Sequence, residues 1–223
     1  GIGEAIARAL GQQGAAVCLT GRNGVRLRKI ARRMRAPQAR FYPADLTGER
    51  EVRSLVKKIL ADHQRVDALV HCAAIILMDA IATASVKDFD RQLQTNVLAP
   101  FRLTQLLLPA LIAAQGQVVF TNSSAGLTAR AGVSQYSATK HALKALANSL
   151  REECNSAGVR VCSLFLGATA TPMQAAVRTH QKRSYAPDRI VQPDDVAAIT
   201  VALLALPRTA EVTDVMMRPM MKT

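Results

Sequence analysis

Ser123-Ser124-Ala125-Gly126, running on to Tyr136-Ser137-Ala138-Thr139-Lys140, is the stretch around which this chain is organised. An apolar run, Gln117-Val118-Val119-Phe120-Thr121-Asn122, leads into it and reads as a buried strand. A helical pattern over about 136–154 follows, so the stretch is a strand, a loop and a helix. Residues i and i+4 share a helix face, which sets Tyr136 beside Lys140. Ser123 stands at the strand end, where sites form in open α/β sheets. A tyrosine ordinarily titrates near ~10, and an adjacent ammonium favours phenolate, so Lys140 is expected to bring the Tyr136 phenol toward working pH for proton exchange.

Working outward, strand and helix patterns alternate. Upstream lie a helix from 4–10, a strand at 15–20, a basic helix reaching about Arg35, a strand near 39–42, a helix at 49–63, a strand and loop over 66–74, and a helix at 99–114. Downstream come a β-branched strand at 158–165, a polar and basic segment at 174–192, a helix at 194–206 behind Pro193, and a last strand at 211–218. This alternation predicts an α/β fold: a doubly wound, mostly parallel, Rossmann-like sheet with helices on both faces. With 223 residues and 49% hydrophobic content, one domain over 1–223 is expected.

The order of residues resembles the short-chain dehydrogenase/reductase family. That pattern is a Ser, a Tyr thirteen residues on and a Lys four further, and Ser123, Tyr136 and Lys140 reproduce it. Asn96, in Gln94-Thr95-Asn96-Val97, matches the family's fourth catalytic residue. The resemblance implies oxidoreduction between an alcohol and a ketone. In it Tyr136 exchanges the proton, Ser123 holds the carbonyl oxygen, Lys140 lowers the phenol pKa and binds the nicotinamide ribose, and Asn96 anchors a water relay. It further implies that Gly1 and Gly3, with Ile2 between them, are the last two glycines of a dinucleotide loop at a helix N-terminus. The family's first glycine and first strand are then expected ahead of Gly1.

Further cofactor contacts follow from the same resemblance. They are Asp45 and Leu46 at the adenine, Ala73 and Ala74 after the fourth strand, and Gly167, Thr169 and Thr171 near the nicotinamide, with the 174–192 segment as a lid over the substrate. The strand at 15–20 ends in Thr20-Gly21-Arg22, with no acidic residue to hold a ribose 2′-hydroxyl. An arginine there suits the 2′-phosphate, so NADP is favoured over NAD. The chain departs from the family at His71-Cys72-Ala73-Ala74, where Asn-Asn-Ala-Gly is usual, and at Leu166, where Pro is usual. These departures motivate an alternative of another class, a catalytically impaired dinucleotide-binding protein acting as sensor or subunit.

The formal net charge is +13, concentrated in Arg22, Arg26, Arg28, Lys29, Arg32, Arg33, Arg35 and Arg40. Most of these read as a solvated helix face, with Arg22 the exception. Only 4% of residues are aromatic and none interleaves with the arginines as a stacking platform, which argues against nucleic acid. Cys18, Cys72, Cys154 and Cys162 lack metal spacing, so reduced thiols, no metal and a cytoplasmic location are expected. No apolar run approaches the ~20 residues of a membrane span, and no membrane association is expected. The expected partners are a small carbonyl or alcohol substrate and further copies of the chain. The leucine- and alanine-rich faces at 99–114 and 136–150 would pair in a homodimer or homotetramer.

Overall fold

The computed structural model describes residues 1–34 and 39–221. The chain forms α1 (Ile2–Gln12), β1 (Cys18–Gly21), α2 (Gly24–Arg33), β2 (Arg40–Pro43), α3 (Glu49–His63), β3 (Ala68–His71), α4 (Val86–Leu93), α5 (Ala99–Ala114), β4 (Gln117–Ser123), α6 (Ser134–Cys154), β5 (Arg160–Leu166), α7 (Pro172–His180), α8 (Pro193–Ala205) and β6 (Asp214–Met217). The end of the basic helix expected at Arg35 falls outside the described residues.

Every strand pair is parallel. Val118 and Phe120 of β4 and Val161 of β5 face one core, which α3, α5 and α6 cover. Val119, Cys162 and Leu164 face the other, under α1 and α8. That two-residue alternation, buried on both sides, is why the two strands read as continuous apolar runs. Burial of each such Val or Leu is worth about 1.5–3 kcal/mol, so β4 and β5 form the rigid centre of the molecule.

The parallel α/β arrangement is the one expected. Among the described residues β1 pairs with β2, and β3 to β6 form a second ladder in sequence order. Helix α1 packs against both. Its Ala5 and Ile6 pack on the β4–β5 face, while Ala7 packs with β1 and α2.

One expectation is corrected, that no apolar run approaches the length of a membrane span. Val86–Ala114 runs as one 29-residue helical segment, apolar enough by length and composition to cross a membrane. Its Leu103, Leu107 and Leu111, spaced by four, are nevertheless buried in the core beside α3 and α6. Pro100 does not break it, because a π-turn at Gln94–Leu98 meets α5 where proline's missing N–H is tolerated. The 174–192 segment, which the resemblance makes a lid, contains most of α7. The Thr171 hydroxyl caps that helix, and Ile190 and Val191 beyond it are buried. α8 then opens on a capping box between Gln192 and Asp195, with Pro193 in its first turn.

Candidate active site

β4 delivers Thr121, Asn122 and Ser123 to the C-terminal edge of the sheet, and a 3-10 turn, Ser124–Gly126, swings the chain away from it. Gly126 is required there, because a Cβ would stand 2.7 Å from Asn122 Oδ1 and 2.8 Å from the Lys140 carbonyl oxygen. The Asn122 amide donates to that same carbonyl at 3.2 Å and accepts from the Ser123 N–H at 2.8 Å. Asn122 therefore clamps the strand end to α6, a positioning role that its place in an apolar run concealed.

The clamp brings Ser123, Tyr136 and Lys140 together. The Ser123 hydroxyl accepts from the Ala125 N–H at 3.2 Å and lies close enough to the Tyr136 phenol to draw its pKa down. Lys140 is 2% exposed and donates to the Thr121 carbonyl at 3.0 Å, while its Nζ stands 5.7 Å from the Tyr136 ring centroid. Burial lowers the Lys140 ammonium to about 8.

The phenol behaves otherwise than the sequence suggested. Burial pushes Tyr136 up to about 12, with only Ser123 drawing it down. Desolvation outweighs the ammonium because Lys140 is directed at Thr121 rather than at the phenol oxygen.

Asn96 is 1% exposed and held on three sides. Its amide accepts from the Ile75 N–H at 2.9 Å and donates to the Ile75 carbonyl at 2.9 Å and to the Thr139 hydroxyl at 3.1 Å. Asn96 sits within the π-turn Gln94–Leu98 that joins α4 to α5, four residues before Pro100. His71 is equally settled. Its Nε2 lies 2.9 Å from the Thr104 hydroxyl, its ring stacks on Phe120 at 4.8 Å between centroids, and burial lowers it to about 3.

A cavity of about 490 Å³ opens over the sheet edge. Of the residues singled out by sequence, Gly1, Ile2, Gly3, Ala74, Ser123, Tyr136, Lys140, Gly167, Thr169 and Thr171 line it. Asn96, Arg22, Asp45, Leu46 and Ala73 do not. The Asp45 carboxyl is held below its usual range by the Thr47 backbone N–H and hydroxyl, with nearby Arg22 adding to the effect. Leu46 packs against the core, and Ala73 is exposed.

Arg26 and Cys72 are among the lining residues to which sequence reasoning gave no site role. Arg26, one turn into α2, reaches the cavity and pairs with Glu4 at 3.5 Å. The Cys72 side chain lies where a Cβ on Gly3 would approach it to 3.1 Å, so Gly3 lets α1 sit closely on the end of β3. Burial pushes the Cys72 thiol up to about 12, which keeps it protonated. A scan for glycine-to-strand packing partners would have flagged Cys72.

A family model described as short chain dehydrogenase matches residues 1–182. An uncharacterized oxidoreductase from Staphylococcus epidermidis is 30% identical over 220 residues, covering 98% of this chain and 93% of that protein. Among solved structures, the alcohol dehydrogenase of the archaeon Thermococcus sibiricus, complexed with 5-hydroxy-NADP, superposes with a TM-score of 0.91 at 28% identity, covering 100% of this chain and 94% of the other. A short chain dehydrogenase from Escherichia coli, complexed with NADPH, gives a TM-score of 0.90 at 28% identity, covering 97% and 91%. The chain belongs to the short chain dehydrogenase family and is a dehydrogenase/reductase enzyme with the family's Rossmann-like fold.

Proposed function

We propose that the chain is a single dinucleotide-binding oxidoreductase domain that uses NADP to interconvert an alcohol and a ketone. The observation that carries the reading is the convergence of Ser123, Tyr136 and a buried Lys140 on a cavity that also holds the N-terminus of α1. The cavity fits a dinucleotide. Its volume lies in the range of cofactor sites, and backbone N–H groups in the first turn of α1, at Ile2 and Gly3, are free to meet a pyrophosphate. Lys140, one of whose three donors meets Thr121, keeps others for ribose hydroxyls. Arg22, just past the end of β1, and Arg26, which lines the cavity, support NADP over NAD. The relatives bound to NADPH and to an NADP adduct support the same choice.

When bound, the nicotinamide supplies or accepts the hydride. The chain's own residues handle the proton. In reduction, Ser123 donates a hydrogen bond to the substrate oxygen, and Tyr136 gives that oxygen its proton as the hydride reaches the carbon. Reprotonation of Tyr136 draws on Lys140, whose value near 8 suits exchange at working pH. Asn96 fixes the helix junction through Ile75 and Thr139, and in this reading it anchors the relay water. The phenol at about 12 is matched to donation, and oxidation requires it to lose a proton first.

The alternative, binding without turnover, draws on His71, Ala74 and Leu166. His71 and Leu166 have settled places, one between Thr104 and Phe120 and the other buried in β5, which favours the enzymatic reading. A cytoplasmic location belongs to the same reading. So does pairing of copies through α5 and α6, which the exposed Phe101 and Ile112 on α5 support. The test is Tyr136→Phe. Carbonyl reduction by NADPH is expected to fall by at least ~10²-fold, the usual contribution of general acid catalysis, while NADPH binding persists. Activity surviving within a few fold refutes the assignment, and binding without turnover in the unaltered protein favours the alternative.

A further inference from the structure

No aspartate or glutamate lines the cavity, and three cations do: Arg26, Lys140 and Arg130. Two of them are engaged, Arg26 with Glu4 and Lys140 with the Thr121 carbonyl. Arg130 is exposed, and its guanidinium makes no ion pair or hydrogen bond among the described residues. The three are also separated by topology. Arg26 comes from α2, on the β1 side, beside the helix N-terminus argued to meet pyrophosphate. Arg130 comes from the loop between β4 and α6, on the Tyr136 side.

The same cavity is lined by apolar Ile76, Val133, Met173 and Val177 and by Thr128 and Gln181, whose hydroxyl and amide can donate. Neither of those side chains has a hydrogen-bond partner among the described residues. The backbone carrying Arg130 is tied by a bridge between Val133 and Asp79 and by the Val133 N–H, which donates to the Arg130 carbonyl at 3.4 Å. A short aliphatic wall with a free guanidinium fork and two neutral donors matches an aliphatic chain ending in a carboxylate.

We propose that Arg130 selects the substrate, and that the alcohol or ketone taken by this enzyme carries a carboxylate on a short aliphatic chain. The inference rests on the oxidoreductase reading, with Arg130 a specificity residue that takes no part in proton or hydride transfer.

The test measures NADP-dependent oxidation of 2-hydroxybutyrate and 3-hydroxybutyrate, each against its methyl ester. In the unaltered enzyme at least one acid is expected to exceed its ester about ten-fold in kcat/KM. In R130Q that ratio falls to near one, through KM for the acid. R130K, which keeps the charge without the fork, lies between. Calorimetric titration of the NADP-loaded protein with butyrate gives a second readout, with binding to the unaltered protein and none to R130Q. Equal use of acid and ester, or an acid preference that R130Q leaves intact, overturns the proposal. Tyr136-dependent turnover of unrelated neutral carbonyls with neither hydroxy acid accepted overturns the carboxylate inference alone. Absence of turnover across that whole panel overturns the oxidoreductase reading beneath it.

Discussion

Replacing His71 by asparagine, the residue usual at that position in the family, should remove a specific acid sensitivity from the fold. In the native protein the residue is half-buried, its ring stacked on Phe120 and bonded to Thr104, and stays neutral down to about 3, against an ordinary 6.5. The unfolded chain takes up a proton near 6.5, so below that pH it binds more protons than the native state and stability falls as pH falls. Between pH 7 and 5 the native ring remains neutral throughout, and the loss follows the unfolded chain alone, at about 1.4 kcal/mol per unit below 6.5. That amounts to about 2 kcal/mol at pH 5. Urea denaturation of the native protein and His71→Asn at both pH values measures it. Other groups, Asp45 and Asp79 among them, also weaken the fold on acidification, but they act equally in both proteins and cancel in the comparison. Whatever stability difference separates the two at pH 7, it should shift by about 2 kcal/mol in favour of the variant at pH 5. A difference unchanged between the two pH values refutes the reasoning.

Gly126→Ala should destabilise by about 1–3 kcal/mol, since its Cβ would overlap the Lys140 carbonyl, and NADPH-dependent reduction should drop further than stability does as α6 shifts. Thermal melting and kinetics on one preparation check this, and unchanged activity counts against the Asn122 clamp. Arg22→Ala should weaken NADPH binding by about 1.5 kcal/mol, the low end for bonds to charged groups because the side chain is exposed, and leave NADH nearly unaffected. Equal weakening of both cofactors in a binding titration removes the 2′-phosphate contact. Sedimentation at micromolar concentration should show a dimer or tetramer that Phe101→Glu on α5 dissociates, whereas a clean monomer before substitution refutes pairing.

The chain's central elements were legible because their signals are local. β4 and β5 are buried on both faces and read as unbroken apolar runs, while Leu103, Leu107 and Leu111 mark α5 by their spacing. Ser123, Tyr136 and Lys140 could be gathered from sequence because a strand end and one helix turn fix their relation. What stayed hidden depends on contacts between distant segments. The spacing of Tyr136 and Lys140 says nothing of the Thr121 carbonyl that takes the ammonium, so the direction of the Tyr136 shift was misjudged. Pro100 looks like a helix breaker until a π-turn is placed before it. Arg22 and Arg26 are both plausible phosphate ligands by position, and only the folded loop shows which of them lines the cavity. The polar composition of 174–192 masks α7, whose cap is a single threonine hydroxyl.

The Asn122 clamp gives the two halves of the site a common origin. Its one amide holds the Ser123 backbone and the Lys140 carbonyl together, so the strand end and α6 move as one unit rather than as independent parts. The room for that amide is the space a side chain on Gly126 would take. A change at Asn122 or Gly126 therefore reaches the strand and the helix at once, whereas side chains elsewhere on the cavity rim can vary without resetting the distance between them.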